Sequence, residues 1–335
     1  MPRSRVTIRD VAVHAGVSHQ TVSRVINRIE RVSPETRTKV EASIQELGYS
    51  PNAVARSMAR GRTCMIACIS PNLTDFTFAS IIEAAESEAR KNDYILLSSS
   101  APDEDTFSEL INQLIDSRRV EGIMVINPYA DERHTLLVDD VPTVFVGARP
   151  REEAVSSVAL DDVGVAKAAT NYLINLGHRK IAMVTGPMQE DCSQDRCKGY
   201  QKALRENNFD FNPKNVYAGD WSATSGYKTL KHMAEINQLP SAIFAQNDRM
   251  AIGILRAARE LKLVVPDDLT VMGIDDMPLS SYFDPPLTTM QQDMVTIGRE
   301  AARLLISAVE NPEKVQQHLL VPAKLIVRDS TACFG

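Results

Sequence analysis

Residues 7–27 read TIRDVAVHAGVSHQTVSRVIN, and this stretch decides what kind of protein the chain is. Ile8, Val11, Ala12 and Ala15 fall at i, i+3, i+4 and i+7, one apolar stripe along a short helix. Thr7 can cap that helix, with Asp10 placed three residues on to complete a capping box. Gly16 supplies a tight turn, and Ser18 offers an N-cap for a second helix that keeps Val22, Val25 and Ile26 inside. Helix, glycine turn, helix is the helix-turn-helix pattern. The second helix leaves Gln20, Ser23, Arg24 and Asn27 on one polar face, with His19 and Thr21 at its start. Such side chains can hydrogen-bond base edges and phosphates in a major groove. The same spacing also suits an ordinary helical hairpin with a solvated face.

Working outward, Ser33-Pro34-Glu35 announces a third helix: an N-cap, a proline at the first helical position and an acid in the first turn. Val40, Ile44 and Leu47 supply its inner face, and Gly48 is placed to end it. Next, Pro51 and Gly61 bracket about two turns of possible helix, too short to hold alone in water. This segment has a capping Asn52, apolar Val54 and Met58 at i, i+4, and arginines up to Arg62. It reads either as a hinge that orders against DNA and a partner chain or as a plain basic linker.

Charge separates the two ends of the chain. The first 62 residues carry eleven Lys and Arg against five Asp and Glu, a net +6, while the whole chain is at −6, so the remainder carries −12. A basic head on an acidic body fits contact with nucleic acid, and phosphate neutralisation by arginines makes such contact strongly salt-dependent. No apolar run is long enough to span a bilayer, and MPRSRVTIRD lacks the apolar core of an export signal, so a cytoplasmic protein is expected. Cys64, Cys68, Cys192, Cys197 and Cys333 are odd in number and not clustered as zinc ligands, which favours free thiols and no cofactor metal.

From Thr63 onward apolar runs at 65–69, 94–97, 123–126 and 143–146 read as strands, with helices near 78–91 and 104–118. After Leu160 a second series begins: helix near 163–176, strand 181–185, helix near 194–207, strand 215–217, helix near 222–235, strand 242–245, helix near 248–261, strand 270–273. This alternation implies two α/β layers with parallel sheets. In open α/β sheets ligands bind beyond the carboxyl ends of the strands. Asp75 and Phe76, Arg149, Asn247, Asp248, Asp275 and Asp276 follow strands, Arg196 opens a helix after strand 181–185, and Trp221 sits in a polar loop. Carboxylate and guanidinium groups can hold paired hydroxyls, and an indole packs on the apolar face of a pyranose, so the set suits a polyol or saccharide. Plainer roles exist for each. Asp248 and Asp276 are better read as shaping turns, and Arg149 could serve as a salt-bridge partner.

The phrases DVAVHAGVSHQTVSRVIN, VSPETRTKVEASIQELGYSPNAVARSM, LGHRKIAMVTGP, GDWSATSGY, AIFAQNDRMAIGILRA and VMGIDDMPLSSYFDPPLTTMQQD, in this order over nearly the whole chain, resemble the lactose/galactose repressor (LacI/GalR) family of bacterial transcription regulators. The resemblance implies a helix-turn-helix headpiece over 1–49, a hinge helix and linker over 50–62, and a periplasmic-binding-protein-like body over 63–335. Within that body an N-subdomain of about 63–160 plus 291–321 and a C-subdomain of about 162–287 plus 323–330 are expected. The chain should cross between them near 158–163, 286–292 and 320–324, and a helix near 293–309 should return to the first. It further implies that His19, Gln20 and Arg24 read bases while Thr21, Ser23 and Asn27 position phosphates, with Ser18 and Asn52 completing the DNA-contacting set. Met58 takes the place of the apolar wedge that opens a central base step. Arg196, Asn247 and Asp275 align with residues that hold effector hydroxyls, and Trp221 with the aromatic that stacks on the effector. Asp75, Phe76 and Arg149 would complete the pocket from the first subdomain. There the chain departs from the family pattern: Gly147 stands where an acidic sugar contact is expected, which leaves room for a larger oligosaccharide or an anionic sugar acid.

The expected function is a homodimeric repressor on a near-palindromic double-stranded DNA operator, controlled by a sugar-like effector, regulating carbohydrate use and acting without a membrane. No heptad tail follows 323–327, which favours a dimer over a tail-tethered tetramer. Two rivals are a transport-type sugar-binding protein, against which the basic head argues, and a sugar-active enzyme. For the second, the chain holds no G-x-S-x-G elbow, no phosphate loop of the G-x-x-x-x-G-K-[ST] type and no H-E-x-x-H.

Overall fold

A computed structural model describes residues 6–26, 32–49, 62–137, 140–151, 155–313 and 315–334. The chain divides into two compact units, Met1–Thr63 and Cys64–Gly335.

The first unit holds three helices: α1 (Ile8–Ala15), α2 (His19–Ile26) and α3 (Pro34–Leu47). Their ends follow from the sequence. The Thr7 N–H donates to Asp10 Oδ2 at 2.7 Å while the Asp10 N–H donates to Thr7 Oγ1, and Gly16 stops α1 at φ 67°. Ser18 Oγ accepts the Thr21 N–H at 3.1 Å at the head of α2, and Ser33 caps α3 with Pro34 behind it. Val11, Ala12, Val22, Val25 and Val40 form the buried core, and Ile44 and Leu47 pack on it partly exposed. Asn27, Asn52 and Met58 lie outside the described residues.

The second unit is built on two six-stranded sheets. The first runs β11-β5-β4-β3-β1-β2 and the second β12-β10-β9-β8-β6-β7. In the first sheet the strands are β1 (Met65–Ser70), β2 (Ile95–Ser100), β3 (Gly122–Ile126), β4 (Thr143–Val146), β5 (Ser156–Leu160) and β11 (His318–Val321), all parallel. In the second they are β6 (Ile181–Thr185), β7 (Val216–Ala218), β8 (Ala242–Ala245), β9 (Thr270–Asp275), β10 (Thr288–Gln291) and β12 (Lys324–Ile326). Helices α4 (Phe76–Lys91), α5 (Glu104–Asp116), α6 (Asp162–Asn175), α7 (Asp191–Glu206), α8 (Ala223–Glu235), α9 (Asp248–Glu260) and α10 (Met294–Glu310) flank the sheets. The central strands are near-continuous apolar runs, as sheets covered on both faces require; β3, β8 and β9 are buried throughout.

The chain passes between the sheets after β5, after β10 and between β11 and β12. Helix α10 follows β10 of the second sheet yet packs along α4 and against β3, β4 and β5 of the first. One strand departs from the parallel expectation: β12 runs antiparallel to β10. The reason is geometric. β11 ends at the same side of its sheet as its parallel neighbours, and two residues later the chain enters the second sheet from its carboxyl end, so it must run the opposite way.

All five cysteines are free thiols, and burial pushes the Cys68 thiol up to about 12. No helix among the described residues is long and apolar enough to cross a membrane.

Candidate functional site

The carboxyl ends of both sheets face one cleft of about 830 Å³, counted out to its open mouth. Ile126, Val146 and Leu160, the last residues of β3, β4 and β5, form one wall, and Asp275, the last of β9, belongs to the other. Of the residues singled out in the sequence, Asp75, Phe76, Arg196, Trp221, Asn247 and Asp275 line this cleft.

Arg196 is buried on α7. Its Nε donates to Asp162 Oδ1 at 2.7 Å and its Nη1 to the Gln246 carbonyl at 2.5 Å. Its guanidinium carbon lies 5.6 Å from the Trp221 ring centre. Burial pushes the Asp162 carboxyl up while the Arg196 charge opposes that shift. Trp221 occupies a left-handed backbone conformation at φ 68° and donates its indole N–H to Glu190 Oε1 at 3.2 Å. Its ring lies across Gly186, where any Cβ would overlap the indole. Asn247 caps α9 through the Met250 N–H and donates to the Trp221 carbonyl at 3.0 Å, so its amide fixes the tryptophan loop. Asp275 accepts from Gln292 Nε2 at 2.6 Å; burial and then the like charge of Asp248 drive its carboxyl well above the usual range, against the pull of Arg196.

Asp75 caps α4 by accepting the Thr77 N–H at 2.9 Å and receives Arg249 of α9 across the cleft mouth. Arg149 is not among the cleft-lining residues. Its guanidinium reaches from the segment after β4 to Asp195 at 2.8 Å and Asp191 at 2.9 Å on α7, and Arg151 joins it on Asp191 at 2.7 Å. The structure therefore places Arg149 in an ion-pair cluster between the two sheets. Gly147 does line the cleft, with φ 74° and empty space where a Cβ would point. Asp248 and Asp276 shape turns: Asp248 accepts from Ser280 Oγ and Thr289 Oγ1 at 2.6 Å each, and Asp276 pairs with Arg328 at 2.6 Å.

Sequence reasoning missed Asn127, Asp162, Glu190, Arg249 and Gln292 as cleft residues. Glu190 is the most consequential. Burial raises its carboxyl above the ordinary range against hydrogen bonds from Trp221 and Asn127. Among the described residues no group of His, Cys, Asp or Glu is arranged to hold a metal ion.

On the first unit, Ser18, His19, Gln20 and Arg24 are exposed, and Thr21 and Ser23 are half-buried. The Thr21 hydroxyl is held 2.9 Å from that of Ser18, so α2 presents its polar side with its valines turned inward.

Residues 7–52 match the model of bacterial regulatory proteins of the lacI family, and 170–331 match a periplasmic binding protein-like domain. Catabolite control protein A of Priestia megaterium is 35% identical over 97% of this chain and 99% of its own length. The HTH-type transcriptional repressor CytR of Escherichia coli K12 is 31% identical over 97% of the chain and 96% of its own. Among solved structures, a lac repressor dimer bound to operator and the anti-inducer ONPF superposes with a TM-score of 0.89 at 31% identity, over 98% of this chain and 100% of that one. A complex of the transcriptional regulator CelR with cellobiose gives 0.76 at 30% identity, over 97% and 100%.

Proposed function

Since the chain belongs to the lacI family of bacterial regulatory proteins, a family of non-catalytic DNA-binding repressors, we propose that it is a homodimeric repressor whose operator affinity is set by a small hydroxyl-rich effector bound between the two sheets. Residues 1–49 are assigned to operator reading, 50–62 to a hinge with Met58 as its wedge, and 63–335 to sensing and dimerisation. His19, Gln20 and Arg24 take the base edges, Arg24 suiting a bidentate contact to guanine. Ser18, Thr21, Ser23, Asn27 and Asn52 take the backbone. The effector is assigned to Asp75, Phe76, Arg196, Trp221, Asn247 and Asp275. Arg149, held by Asp191 and Asp195, is assigned a role between the lobes instead.

The observation that carries this reading is the cleft itself, where an indole, a buried guanidinium and the carboxyls of Glu190 and Asp275 converge at the carboxyl ends of both sheets. A lac repressor dimer on its operator and CelR with cellobiose, both similar over nearly full length, support the same division of labour. Exposed Leu279 and Tyr282 offer apolar surface for a second copy. Release of DNA on effector binding is the sign expected for genes of carbohydrate use.

The test is a gel shift on operator-like duplexes with and without candidate effectors. Arg24→Ala should weaken preference for the operator over random duplex by roughly 1–3 kcal/mol, relaxing specificity at the contacted position, and leave effector binding intact. Equal loss of both would contradict the assignment of reading and sensing to separate units.

A further inference from the structure

We propose that the effector accepted by this cleft is uncharged and hydroxyl-rich, and that the site rejects the carboxylated or phosphorylated form of the same compound. This rests on the cleft being the effector site and narrows what it takes.

The cations come first. Among the described residues lining the cleft, the positive side chains are Arg196 and Arg249, and both are already engaged by acids, Arg196 within its own lobe and Arg249 across to the other. Arg196 holds Asp162 at 2.7 Å, and Arg249 holds Asp75. Two further carboxyls, Glu190 and Asp275, face the cleft with neutral partners, the Trp221 indole N–H and the Gln292 amide. An arriving carboxylate or phosphate therefore meets no uncommitted positive charge and stands beside up to four acids.

The second source of anion binding, a helix N-terminus, is capped at two of the three helices that start at the cleft. Asp75 fills that of α4 through the Thr77 N–H, and Asn247 fills that of α9 through the Met250 N–H. At α7 the N-cap Glu190 makes no side-chain cap bond, and it is the negative charge of Glu190 beside that helix start that opposes an anion. Gly147 leaves open space in the wall but adds no cation.

Hydroxyl groups fare differently. Arg196 uses Nε and Nη1 in its described bonds and keeps further guanidinium N–H groups for an acceptor, its charge already balanced. Glu190 and Asp275, bonded to the Trp221 indole N–H and the Gln292 amide, keep carboxylate lone pairs that can accept from a hydroxyl. Trp221 and Phe76 cover the apolar faces of a ring. The site thus reads donors and acceptors, and anionic sugar acids, which the first-subdomain sequence left open, are set aside.

The experiment uses the full-length protein in calorimetric titration and in operator gel shifts against matched sets: cellobiose and cellobionate; glucose, gluconate, glucuronate and glucose 6-phosphate; galactose and galacturonate; ribose and ribose 5-phosphate. At least one neutral member is expected to bind, with its anionic counterpart at least about a hundredfold weaker, since like-charge juxtaposition is strongly unfavourable at a desolvated site. Glu190→Gln should narrow that gap by about tenfold or more, because it removes one acid and keeps the bond from Trp221. An anionic member binding as tightly as its neutral counterpart overturns the proposal; if that anion also shifts operator affinity, the repressor reading survives. Binding by no neutral member overturns it as well, and operator affinity indifferent to the whole panel takes the effector reading with it. A gap unchanged in Glu190→Gln removes Glu190 from the selection.

Discussion

The buried pair Arg196–Asp162 offers the sharpest test of the electrostatics, because its two halves fail in different ways. Arg196 is 5% exposed and Asp162 8%, and they meet at 2.7 Å. In Asp162→Asn the guanidinium stays buried without its counter-ion and cannot shed its proton, so about 3–5 kcal/mol of stability is lost at any ordinary pH. In Arg196→Met the orphaned carboxylate can escape its burial by taking up a proton. From an ordinary Asp value near 3.9, that uptake costs about 4 kcal/mol at pH 7 but about 1.5 kcal/mol at pH 5. The sign follows from linkage: a folded carboxyl raised above its unfolded value binds more protons than the unfolded chain, so stability falls as pH rises and returns on acidification. The Arg196→Met deficit relative to the parent should therefore shrink by up to about 2.7 kcal/mol between pH 7 and pH 5, while the Asp162→Asn deficit, which removes a carboxyl already raised in the parent, should not shrink in acid. Urea unfolding at both pH values, followed through the fluorescence of the single tryptophan, Trp221, reads this directly. Deficits that move together with pH, or an Asp162→Asn deficit that recovers in acid, would refute the account of a permanently charged guanidinium neutralised by one buried acid.

Gly186→Ala should push the indole of Trp221 aside, costing about 1–3 kcal/mol of effector binding as overpacking does, with a shifted emission spectrum and operator binding retained; an unchanged spectrum would contradict the described contact. His178 is buried, bonded to Ser241 and to the Ala332 carbonyl, and burial holds its imidazole below the usual 6.5. Its contribution to stability is present above about pH 6.5 and lost as pH falls toward the folded value, so His178→Gln should flatten the acid side of a melting-temperature profile between pH 5 and 7.5. A profile of unchanged slope would show that other groups carry it. Arg149→Met should free Asp191 and Asp195 from the opposite lobe and change effector and operator affinities together by a reciprocal factor, measured by titration with and without operator; a change in one alone would separate this cluster from the coupling.

Much of the fold was legible because the physics that sets it is local. Strands β4, β6 and β8 coincide with apolar runs bounded by Pro, Gly and polar residues, and the caps of α1, α2 and α3 follow from Thr7, Ser18 and Ser33. What escaped was set by distant partners. Strands β5, β10, β11 and β12 are short, mixed segments whose extended form comes from the neighbours they pair with, across gaps such as Ser157 to His318. Helix α7 begins at Asp191, earlier than the apolar pattern shows, because GPMQEDCSQDR reads as a polar loop; that delay hid Glu190. Arg149 looked like a ligand group because it follows a strand, but its carboxylate partners lie more than 40 residues away on α7 and could not be paired with it from spacing. Asn247 and Asp275 could be placed at the cleft from the strand ends they lie at, whereas Trp221, in a polar loop, was pointed to by the family resemblance.

The placement of the interlobe bonds explains how such a cleft can act as a switch. Across the mouth on one flank stands Arg249 with Asp75, and Arg149 and Arg151 reach over to Asp191 and Asp195 elsewhere. Each bond joins a first-sheet segment to a second-sheet helix, so each is made or broken by the relative angle of the lobes. A ligand shifts that angle only through interactions that differ between the two settings. Arg196, Trp221 and Asp275 come from the second lobe, Asp75 and Phe76 from the first, and Gln292 from the strand-to-helix crossing between them. An effector touching all three groups is held fully at one angle and partly at any other, which is the differential affinity required. The ion pairs then set the resting balance, and a charged ligand would disturb them in either setting, whereas a neutral one acts through geometry alone. The proposed charge selectivity and the proposed allosteric response would thus share one element: Arg249, spent on Asp75 across the lobes, is unavailable to bind an anion.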